Sequence, residues 1–412
     1  MDRRASQWRR PVTSRPSARQ PQVSIALFDP SGTAHSRTAL PGLTRAAIGQ
    51  GLHVTVFAPE RDLGPGAQWT LSQSKNVLND RRARDLHRTC LNVALEAFGP
   101  GANRVFCDLG LDRTLLSQGS KIHASDATVF VCHRTASLDR PPSSLAQRWR
   151  RAGSRRLLRK LGAAGAHFVT HTELVRARLS DFTASENVHR LGWPVVSRED
   201  PCLGPSWRPS PEDRMLLVPG SARAEKGLAQ LVRGVGSVTA FDRLVVQGRL
   251  NTKLRAQLEG ADPRVQLWDR WLETEEYREA FRGASLVVLP YQDHYLTRGT
   301  LSSVLLEAMA FGRPLVVSKE ISDLLPPGYP GAVTMDTSTE RGIASGLEEA
   351  LATIDELEEA AMHVGRAYIA EHHTYEGYLA ALVSIASRGA PGSADAEVDA
   401  RDGVPERSTP SQ

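Results

Sequence analysis

The chain has 412 residues, of which 41% are hydrophobic and 24% charged, and its net charge is +5. This is the composition of a globular protein long enough for two domains, and it excludes a wholly disordered chain. No run approaches the roughly 18 apolar residues of a membrane-spanning helix. The four cysteines lack metal-type spacing, which predicts buried thiols in a reducing cytoplasm.

Both ends of the chain are predicted to be disordered tails. Residues 1–21 are rich in Arg, Ser and Pro and lack the apolar stretch of a secretory signal, and residues 389–412 have almost nothing to bury. Between the tails, apolar runs rich in Val, Phe and Ile alternate with amphipathic segments. Runs of this kind are typical of parallel strands buried on both faces, so the sequence predicts an α/β protein with doubly wound sheets.

Twelve such runs divide into two sets of six. The first set is VSIALFD (23–29), HVTVFAP (53–59), RVFCDLG (104–110), TVFVCHR (128–134), AHFVTHT (166–172) and NVHRLGWPVV (187–196). The second set is RMLLVPG (214–220), RLVVQG (243–248), RVQLW (264–268), SLVVLPY (285–291), PLVVS (314–318) and GAVTMD (331–336).

The proline-rich segment between the two sets is predicted to be a linker. It covers residues 197–213 and separates a domain at 22–196 from a domain at 214–370. Residues 371–388 are predicted to form a helix that can pack back on the first domain. In open α/β sheets ligands bind beyond the carboxyl ends of the strands, so the candidate functional residues follow each strand.

The stretch LVPGSARAEKGLAQLV (217–232) predicts a phosphate site. A strand ends at Pro-Gly220, and Lys226 precedes the glycine that opens an amphipathic helix. Amides at a helix start attract anions, and Arg223 and Lys226 add full positive charge. Lysine is rare here, with six among the 51 basic residues. The alternative is a solvated loop of mixed charge.

A second candidate site lies in RGTLSSVLLEAMAFGRPLVVS (298–318). Gly299 permits close backbone approach, and the helix is predicted to begin near Thr300, with Thr300 or Ser302 as its cap. Free amides there, including Leu301, can hold a diphosphate. Glu307 is predicted about two turns down this apolar helix, where its carboxylate can accept both hydroxyls of a ribose. The alternative for Glu307 is a charge on the solvent face.

EKG (225–227), LPY (289–291) and LLEAMAFGRPLVVS (305–318) together resemble the C-terminal domain of the retaining GT-B glycosyltransferases, in the bacterial family often called family four. The resemblance extends over residues 271–291. It implies two Rossmann-like domains facing across a cleft, with the acceptor on the first and a nucleotide-sugar donor on the second. It also implies that the segment around Trp268 borders the nucleotide base, with Asp269, Arg270 and Trp271 as donor contacts.

The sequence departs from the family pattern at two positions. The first of the family's paired glutamates falls at Gly299, which leaves the contact to the donor sugar open, and Asp293 or His294 can partly substitute. The family's phosphate-binding arginine falls at Ser221, and Arg223 is near enough in sequence to replace it.

The resemblance also points to residues of the first domain. Ser31, Gly32 and Thr33 follow the first strand, and in the family this loop touches the acceptor or the diphosphate. The alternative is an ordinary loop between a strand and a helix. Pro41 is a candidate for the true start of that helix, which would make the loop unusually long. His133 ends the strand TVFVCHR, and the family often places a histidine there, facing the donor sugar. A structural role for His133 is the alternative.

Residues 147–162, QRWRRAGSRRLLRKLG, contain seven basic residues among Trp149 and three leucines. A basic amphipathic helix can lie on an anionic membrane surface. The preferred alternative is a solvated helix with one buried face. Nucleic-acid binding is not expected, because the segment lacks a set of stacking aromatic residues.

The resemblance implies a retaining transferase that moves a sugar from a nucleotide donor, for example a UDP- or GDP-sugar, to a glycan, a lipid-linked sugar or a natural product. Arg223, Lys226 and the helix start at 299–301 would stabilise the leaving diphosphate, with His133 beside the sugar. No cofactor or metal is expected, since no D-x-D motif lies between the tails.

Two other functions stay open. One is a nucleotide-sugar epimerase of the same fold, and the other is a catalytically silent partner protein, which the glycine at position 299 makes a serious option. A dehydrogenase is poorly supported because no GxGxxG follows a strand. The expected location is the cytoplasm, or the inner face of the membrane if residues 147–162 dock there.

Overall fold

The structure is a computed structural model that describes residues 23–28, 34–57, 104–108, 129–132, 144–204, 213–220, 224–292 and 301–388. Within these residues the chain forms two six-stranded sheets, and every strand pair is parallel. All twelve apolar runs contain a strand, so the prediction of an α/β protein with two doubly wound sheets is confirmed.

The first sheet has the strand order β2-β1-β3-β4-β5-β6. Its side chains are buried wherever the structure describes them in β1, β3 and β4, which explains the apolar runs without alternation. The strands are β1 (Ser24–Phe28), β2 (His53–Phe57), β3 (Arg104–Asp108), β4 (Val129–Cys132), β5 (His167–Thr170) and β6 (Val188–Arg190).

The second sheet has the order β12-β11-β10-β7-β8-β9. Its central strands β7 and β11 are buried at every position. The strands are β7 (Met215–Val218), β8 (Arg243–Gln247), β9 (Val265–Trp268), β10 (Ala284–Leu289), β11 (Leu315–Ser318) and β12 (Ala332–Met335).

Helices cover both sheets, and among the described residues none is long and apolar enough to cross a membrane. They are α1 (Ala34–Gly49), α2 (Leu145–Ala163), α3 (Glu173–Ser180), α4 (Leu228–Gly234), α5 (Thr252–Leu258), α6 (Thr274–Gly283), α7 (Ser303–Ala310), α8 (Glu340–Ala352), α9 (Ile354–Ala360), α10 (Arg366–His372) and α11 (Tyr375–Arg388).

Pro41 lies inside α1 and does not begin it, so that alternative for the first helix is wrong. Proline lacks the N–H that would continue the helical ladder, but the turn after it is reinforced by the Thr44 hydroxyl, which donates to the Leu40 carbonyl oxygen at 2.8 Å. The loop that joins β1 to α1 is therefore residues 29–33, which lie outside the described residues.

The second sheet reverses its direction of winding between β7 and β10. From β7 the chain proceeds outward to β8 and β9, whereas β10 lies on the other side of β7 and leads to β11 and β12. Such a switch leaves a crevice at the carboxyl ends of the two strands, which is where open α/β sheets bind ligands. Gly220 follows β7 and Tyr291 follows β10, so both border this crevice.

The chain crosses between the two sheets twice, and the crossings pair with each other. Val196 and Thr374 form a parallel bridge, the Val195 N–H donates to the His373 carbonyl at 2.9 Å, and the Tyr375 N–H donates to the Val196 carbonyl at 2.9 Å. After the second crossing, α11 packs against α1, β3 and β4 of the first sheet.

Residues 200–204 belong to the predicted linker and pack against the second domain. The Cys202 side chain is fully buried. Arg278 of α6 forms two contacts with the Asp200 carboxylate, at 2.6 and 3.1 Å, and an Arg366 Nη1 donates to the Gly204 carbonyl at 2.9 Å. The chain from Asp200 to Gly204 is therefore held by α6 and α10.

Candidate functional site

Gly220 opens the crevice at the end of β7. Its φ of +92° is in the left-handed region, and its N–H donates to Gln247 Oε1 at 2.9 Å. A β-carbon on Gly220 would lie 3.2 Å from Lys226 Nζ and 3.3 Å from a methyl group of Val304. The glycine thus lets the backbone pass close to the lysine and to the first turn of α7.

Lys226 is buried at this edge, with 4% of the residue exposed. Its Nζ donates to the Pro219 carbonyl oxygen at 3.4 Å and lies 5.0 Å from the centroid of the Tyr291 ring. A buried ammonium group needs negative or π-electron partners. The positive charge of Lys226 therefore lies between the ends of β7 and β10.

The helix α7 begins at Ser303, so of the two predicted caps, Thr300 and Ser302, it is Ser302 that precedes the helix. Ser302 takes the cap position because its backbone is extended, and its hydroxyl accepts from the Leu305 N–H at 3.4 Å. The Ser302 hydroxyl also donates to the Tyr291 hydroxyl oxygen at 3.4 Å. Leu301 precedes the cap and packs, partly buried, on the core. The first turn of α7 thus faces the same crevice as Lys226.

Glu307 is the fifth residue of α7 and only 9% exposed, which excludes the solvent-facing alternative. Its Oε2 accepts a hydrogen bond of 2.6 Å from the hydroxyl of Tyr277 on α6. Burial raises the pKa of Glu307, and the Tyr277 bond and the positive charge of Lys226 oppose that rise. The carboxylate therefore shares its electrostatic environment with Lys226.

The end of β9 forms an open cleft of about 270 Å³, lined by Leu267, Trp268, Asp269 and Arg270. The Asp269 carboxylate accepts from the Leu250 N–H at 2.7 Å and pairs with Arg255. The Arg270 guanidinium makes two contacts with Glu276, at 2.8 and 2.9 Å. Both side chains are thus engaged with protein groups.

Gln247 connects this cleft to the end of β7, and sequence reasoning missed it. The residue is 2% exposed; its Oε1 accepts from the Gly220 N–H, and its Nε2 donates to the Arg270 carbonyl at 3.1 Å. Tyr277 was missed as well, since EEYREAF reads as an ordinary amphipathic helix. A polar residue ending the buried strand β8 is the signal that could have found Gln247.

The structure brings Gly220, Lys226, Leu301 and Glu307 to one crevice. Asp269 and Arg270 lie at the end of β9, two strands from β7, with the partly exposed Trp271 beyond them. The other predicted site residues lie outside the described residues: Gly32, Thr33, His133, Arg223, Gly299 and Thr300. Ser31, Ser221, Asp293 and His294 lie outside them too. Within the described ranges, no cluster of three or more His, Cys, Asp or Glu residues is placed to hold a metal ion.

The sequence of the second domain is similar to that of a known family. Residues 213–353 match the family model described as glycosyl transferases group 1. The group 1 segment contains both flanks of the crevice, including Lys226 and Glu307. No curated protein matches the chain in sequence.

Solved structures of glycosyltransferases share the fold of the whole chain. Sucrose-phosphate synthase from Thermosynechococcus elongatus has a TM-score of 0.64 at 14% identity, over 89% of this chain and 99% of that one. WaaG, a glycosyltransferase involved in lipopolysaccharide biosynthesis, has 0.61 at 17%, over 88% and 99%. Anabaena HepE, solved in complex with UDP, has 0.56 at 12%, over 88% and 99%. The chain therefore has the GT-B fold, as the sequence predicts.

Proposed function

We propose that the protein is a retaining glycosyltransferase that moves a sugar from a nucleotide-sugar donor to an acceptor. The observation that carries the proposal is that a buried lysine, Lys226, and a buried carboxylate, Glu307, lie close enough to influence each other's charge at the switch point of the segment that matches the group 1 model. The lysine suits a diphosphate and the carboxylate suits the hydroxyls of a ribose. The UDP in the HepE structure makes UDP-sugars the first donors to test.

The proposed reaction stabilises the charge that develops on the leaving diphosphate. The bond from the sugar's anomeric carbon to the phosphate oxygen breaks, and the acceptor oxygen bonds to the same face of that carbon. The acceptor's proton passes to the leaving phosphate oxygen, and a nucleoside diphosphate departs. Lys226, Arg223 and the amides at the start of α7 would supply the positive charge without a metal, and His133 would face the sugar.

The remaining predicted residues take positions around the donor in this proposal. The cleft at Leu267–Arg270 holds the base. Asp269 and Arg270 contribute backbone groups there, because their side chains are paired with Arg255 and Glu276. Gly32 and Thr33 of the first domain would contact the diphosphate or the acceptor, and Gly299 and Thr300 would lie against the diphosphate.

The helix α2 supports a proposed contact with an anionic membrane, where a lipid-linked acceptor would be found. Its second half is anchored in the first domain by Leu157, Leu158 and Leu161, all at most 4% exposed. In its first half Trp149 is 78% exposed and Leu145 is 72% exposed, beside the exposed Arg148. Exposed aromatic and aliphatic tips within a basic helix match an anionic bilayer surface.

Co-sedimentation with vesicles tests the membrane contact. Wild type is expected to bind vesicles rich in phosphatidylglycerol and not vesicles of phosphatidylcholine alone, and added salt should weaken the binding. Trp149→Ser should reduce binding, whereas Leu174→Ser, at the less exposed Leu174 of α3, should not. Equal binding of wild type and Trp149→Ser would exclude α2 as the contact.

A silent partner protein and an epimerase are the competing functions. A silent partner would bind a nucleotide without consuming a nucleotide sugar, and an epimerase would convert one nucleotide sugar into another without an acceptor. The transferase is favoured because the group 1 match covers the donor crevice. Release of nucleoside diphosphate from the donor separates it from both alternatives.

Thermal unfolding with UDP, GDP, ADP and their sugar conjugates is the first test. A ligand that binds only the folded state raises Tm. We expect a shift with one base that is lost in Lys226→Ala, reduced in Glu307→Gln and unchanged in Lys253→Ala, because Lys253 is exposed on α5. The absence of any shift, or a shift retained in both site variants, would overturn the proposed donor site.

A further inference from the structure

Tyr277 of α6 contacts the buried carboxylate of α7 directly. Its hydroxyl donates to Glu307 Oε2 at 2.6 Å, and no other hydrogen bond to the Glu307 side chain is present among the described residues. Burial and the nearby charge of Glu307 raise the pKa of Tyr277 well above its ordinary value, so the phenol stays protonated and acts as the donor. The bond fixes the carboxylate plane and leaves Oε1 for a further donor.

A row of aromatic rings holds both ends of this hydrogen bond in place. The Tyr277 ring meets the Phe281 ring edge-on, with centroids 5.0 Å apart, and Phe281 stacks on Phe311 with centroids 4.7 Å apart. Phe311 ends α7, where its N–H donates to the Glu307 carbonyl at 2.9 Å. The helices that carry the donor and the acceptor are thus locked together by packing.

The start of α6 adds to this preorganisation. Glu273 and Glu276 form a capping box, in which each side chain satisfies a backbone N–H of the first turn. Tyr277 follows the box immediately, so the turn that carries it is fixed before any ligand arrives. The conformational entropy of the Tyr277 and Glu307 side chains is therefore lost when the protein folds. It is not lost again when a ligand binds.

We propose that Tyr277 is a positioning residue for the nucleotide donor: it orients the Glu307 carboxylate toward the ribose hydroxyls and so makes the site selective for ribonucleotides over 2′-deoxyribonucleotides. This inference rests on the proposed donor site. The bond also opposes the rise in the pKa of Glu307 that burial causes, as the positive charge of Lys226 does, and so favours the ionised carboxylate. Only the ionised carboxylate accepts hydrogen bonds with both of its oxygens.

The variant Tyr277→Phe removes the hydroxyl and keeps the ring packed on Phe281. Affinities are measured by calorimetry for UDP, GDP, ADP and their 2′-deoxy counterparts between pH 5.5 and pH 8. For the base that wild type binds, we expect ribonucleotide affinity to fall about tenfold and 2′-deoxynucleotide affinity to change much less. The loss of binding toward acid pH should move to higher pH, because the pKa of Glu307 rises once the Tyr277 bond is gone.

Two further variants separate the possible results. Glu307→Gln should bind with little discrimination against the 2′-deoxy form and without the acid loss, since an amide does not titrate. Tyr329→Phe is the matched control, because the Tyr329 hydroxyl is buried without a hydrogen-bond partner among the described residues; its affinities should equal those of wild type.

The outcomes distinguish this inference from the proposed function. If Glu307→Gln loses the discrimination but Tyr277→Phe keeps both the discrimination and the pH profile of wild type, Tyr277 has no positioning role and the donor site stands. If no nucleotide binds wild type, the donor site itself is wrong. A Tyr277→Phe protein that loses ribonucleotide and 2′-deoxynucleotide affinity equally, with Tm lowered, would reduce Tyr277 to a structural residue.

Discussion

Gly227 and Pro290 approach so closely that no side chain fits between them. A β-carbon on Gly227 would lie 2.0 Å from the Pro290 carbonyl oxygen, and the φ of Gly227 is +64°. The neighbouring Gln292 N–H donates to the Glu225 carbonyl at 3.0 Å. This contact joins the chain after β7 to the chain after β10, the two strands that flank the proposed donor crevice.

Gly227→Ala is therefore expected to damage both stability and nucleotide binding. The clash and the left-handed backbone together should cost about 2–4 kcal/mol of unfolding free energy, measured with urea. Displacing Lys226 should also remove the Tm shift given by the nucleotide that wild type binds. Gly236→Ala is the control, because a β-carbon there meets nothing within 4 Å. Wild-type stability in Gly227→Ala would contradict the contact.

Gly42→Ala should disturb the packing between α1 and the second crossing. A β-carbon on Gly42 would lie 2.2 Å from Cε2 of Tyr375, whose hydroxyl donates to the Val195 carbonyl at 2.8 Å. We expect a loss of about 1–3 kcal/mol in urea unfolding. Gly49→Ala, on the same helix but with open space at the β-carbon, should stay within about 0.5 kcal/mol of wild type. Similar losses in both variants would argue against close packing of Tyr375 on Gly42.

We expect Arg278→Met to lower the free energy of unfolding by more than the loss of an exposed ion pair does. Arg278 and Asp200 are 22% and 10% exposed, and removing one partner leaves a shielded charge unpaired, at a cost of about 2–4 kcal/mol. Arg233→Met breaks a pair with Glu340 that is more than half exposed, and should cost at most about 1 kcal/mol. The two losses are compared by urea unfolding at pH 7, and equal values would count against a shielded pair.

We expect the free energy of unfolding to decrease as the pH drops below neutral, because His373 is buried in its neutral form. Burial is the largest cause that lowers the pKa of His373 to about 4, and its Nδ1–H donates to the Trp193 carbonyl at 2.8 Å. Since the unfolded histidine titrates near 6.5, the unfolded state binds more protons between pH 6.5 and pH 4, and stability drops as pH falls through that window.

His373→Asn isolates this effect, because an asparagine amide can keep the hydrogen bond without titrating. Between pH 7 and pH 5, wild type should lose about 2 kcal/mol more unfolding free energy than His373→Asn. His372→Asn, at an exposed neighbouring histidine, should follow wild type. Parallel pH profiles for wild type and His373→Asn would show that His373 is not shielded from water.

The strands could be predicted from the sequence because a strand buried on both faces needs a continuous apolar run. Val105 of β3 and Val129 of β4 are completely buried, and the runs that contain them show no alternation. The start of α7 was harder to predict, since Thr300 and Ser302 are equally good caps in sequence. Ser302 is the cap because its backbone is extended and its hydroxyl is buried, and tertiary packing creates both conditions.

The sequence predicts individual residues of the candidate site, but it does not predict which side chains contact each other. Lys226 and Glu307 stand out because they are charges in apolar or glycine-rich surroundings. Tyr277 lies 30 positions before Glu307, and no local pattern links the two. Likewise, nothing in the sequence indicates that Asp269 is paired with Arg255, because the contact joins the end of β9 to a helix on another connection.

Because α11 packs against the first sheet, hybrids that join the first half of one chain to the second half of a related chain will combine surfaces that do not match. The unit built on the first sheet is discontinuous in the chain, since Tyr375–Arg388 packs against α1, β3 and β4. A hybrid that takes its front half from one parent and everything after the first crossing from another would bring a foreign helix against Gly42 and its neighbours. Transplanting both segments together preserves that complementary surface.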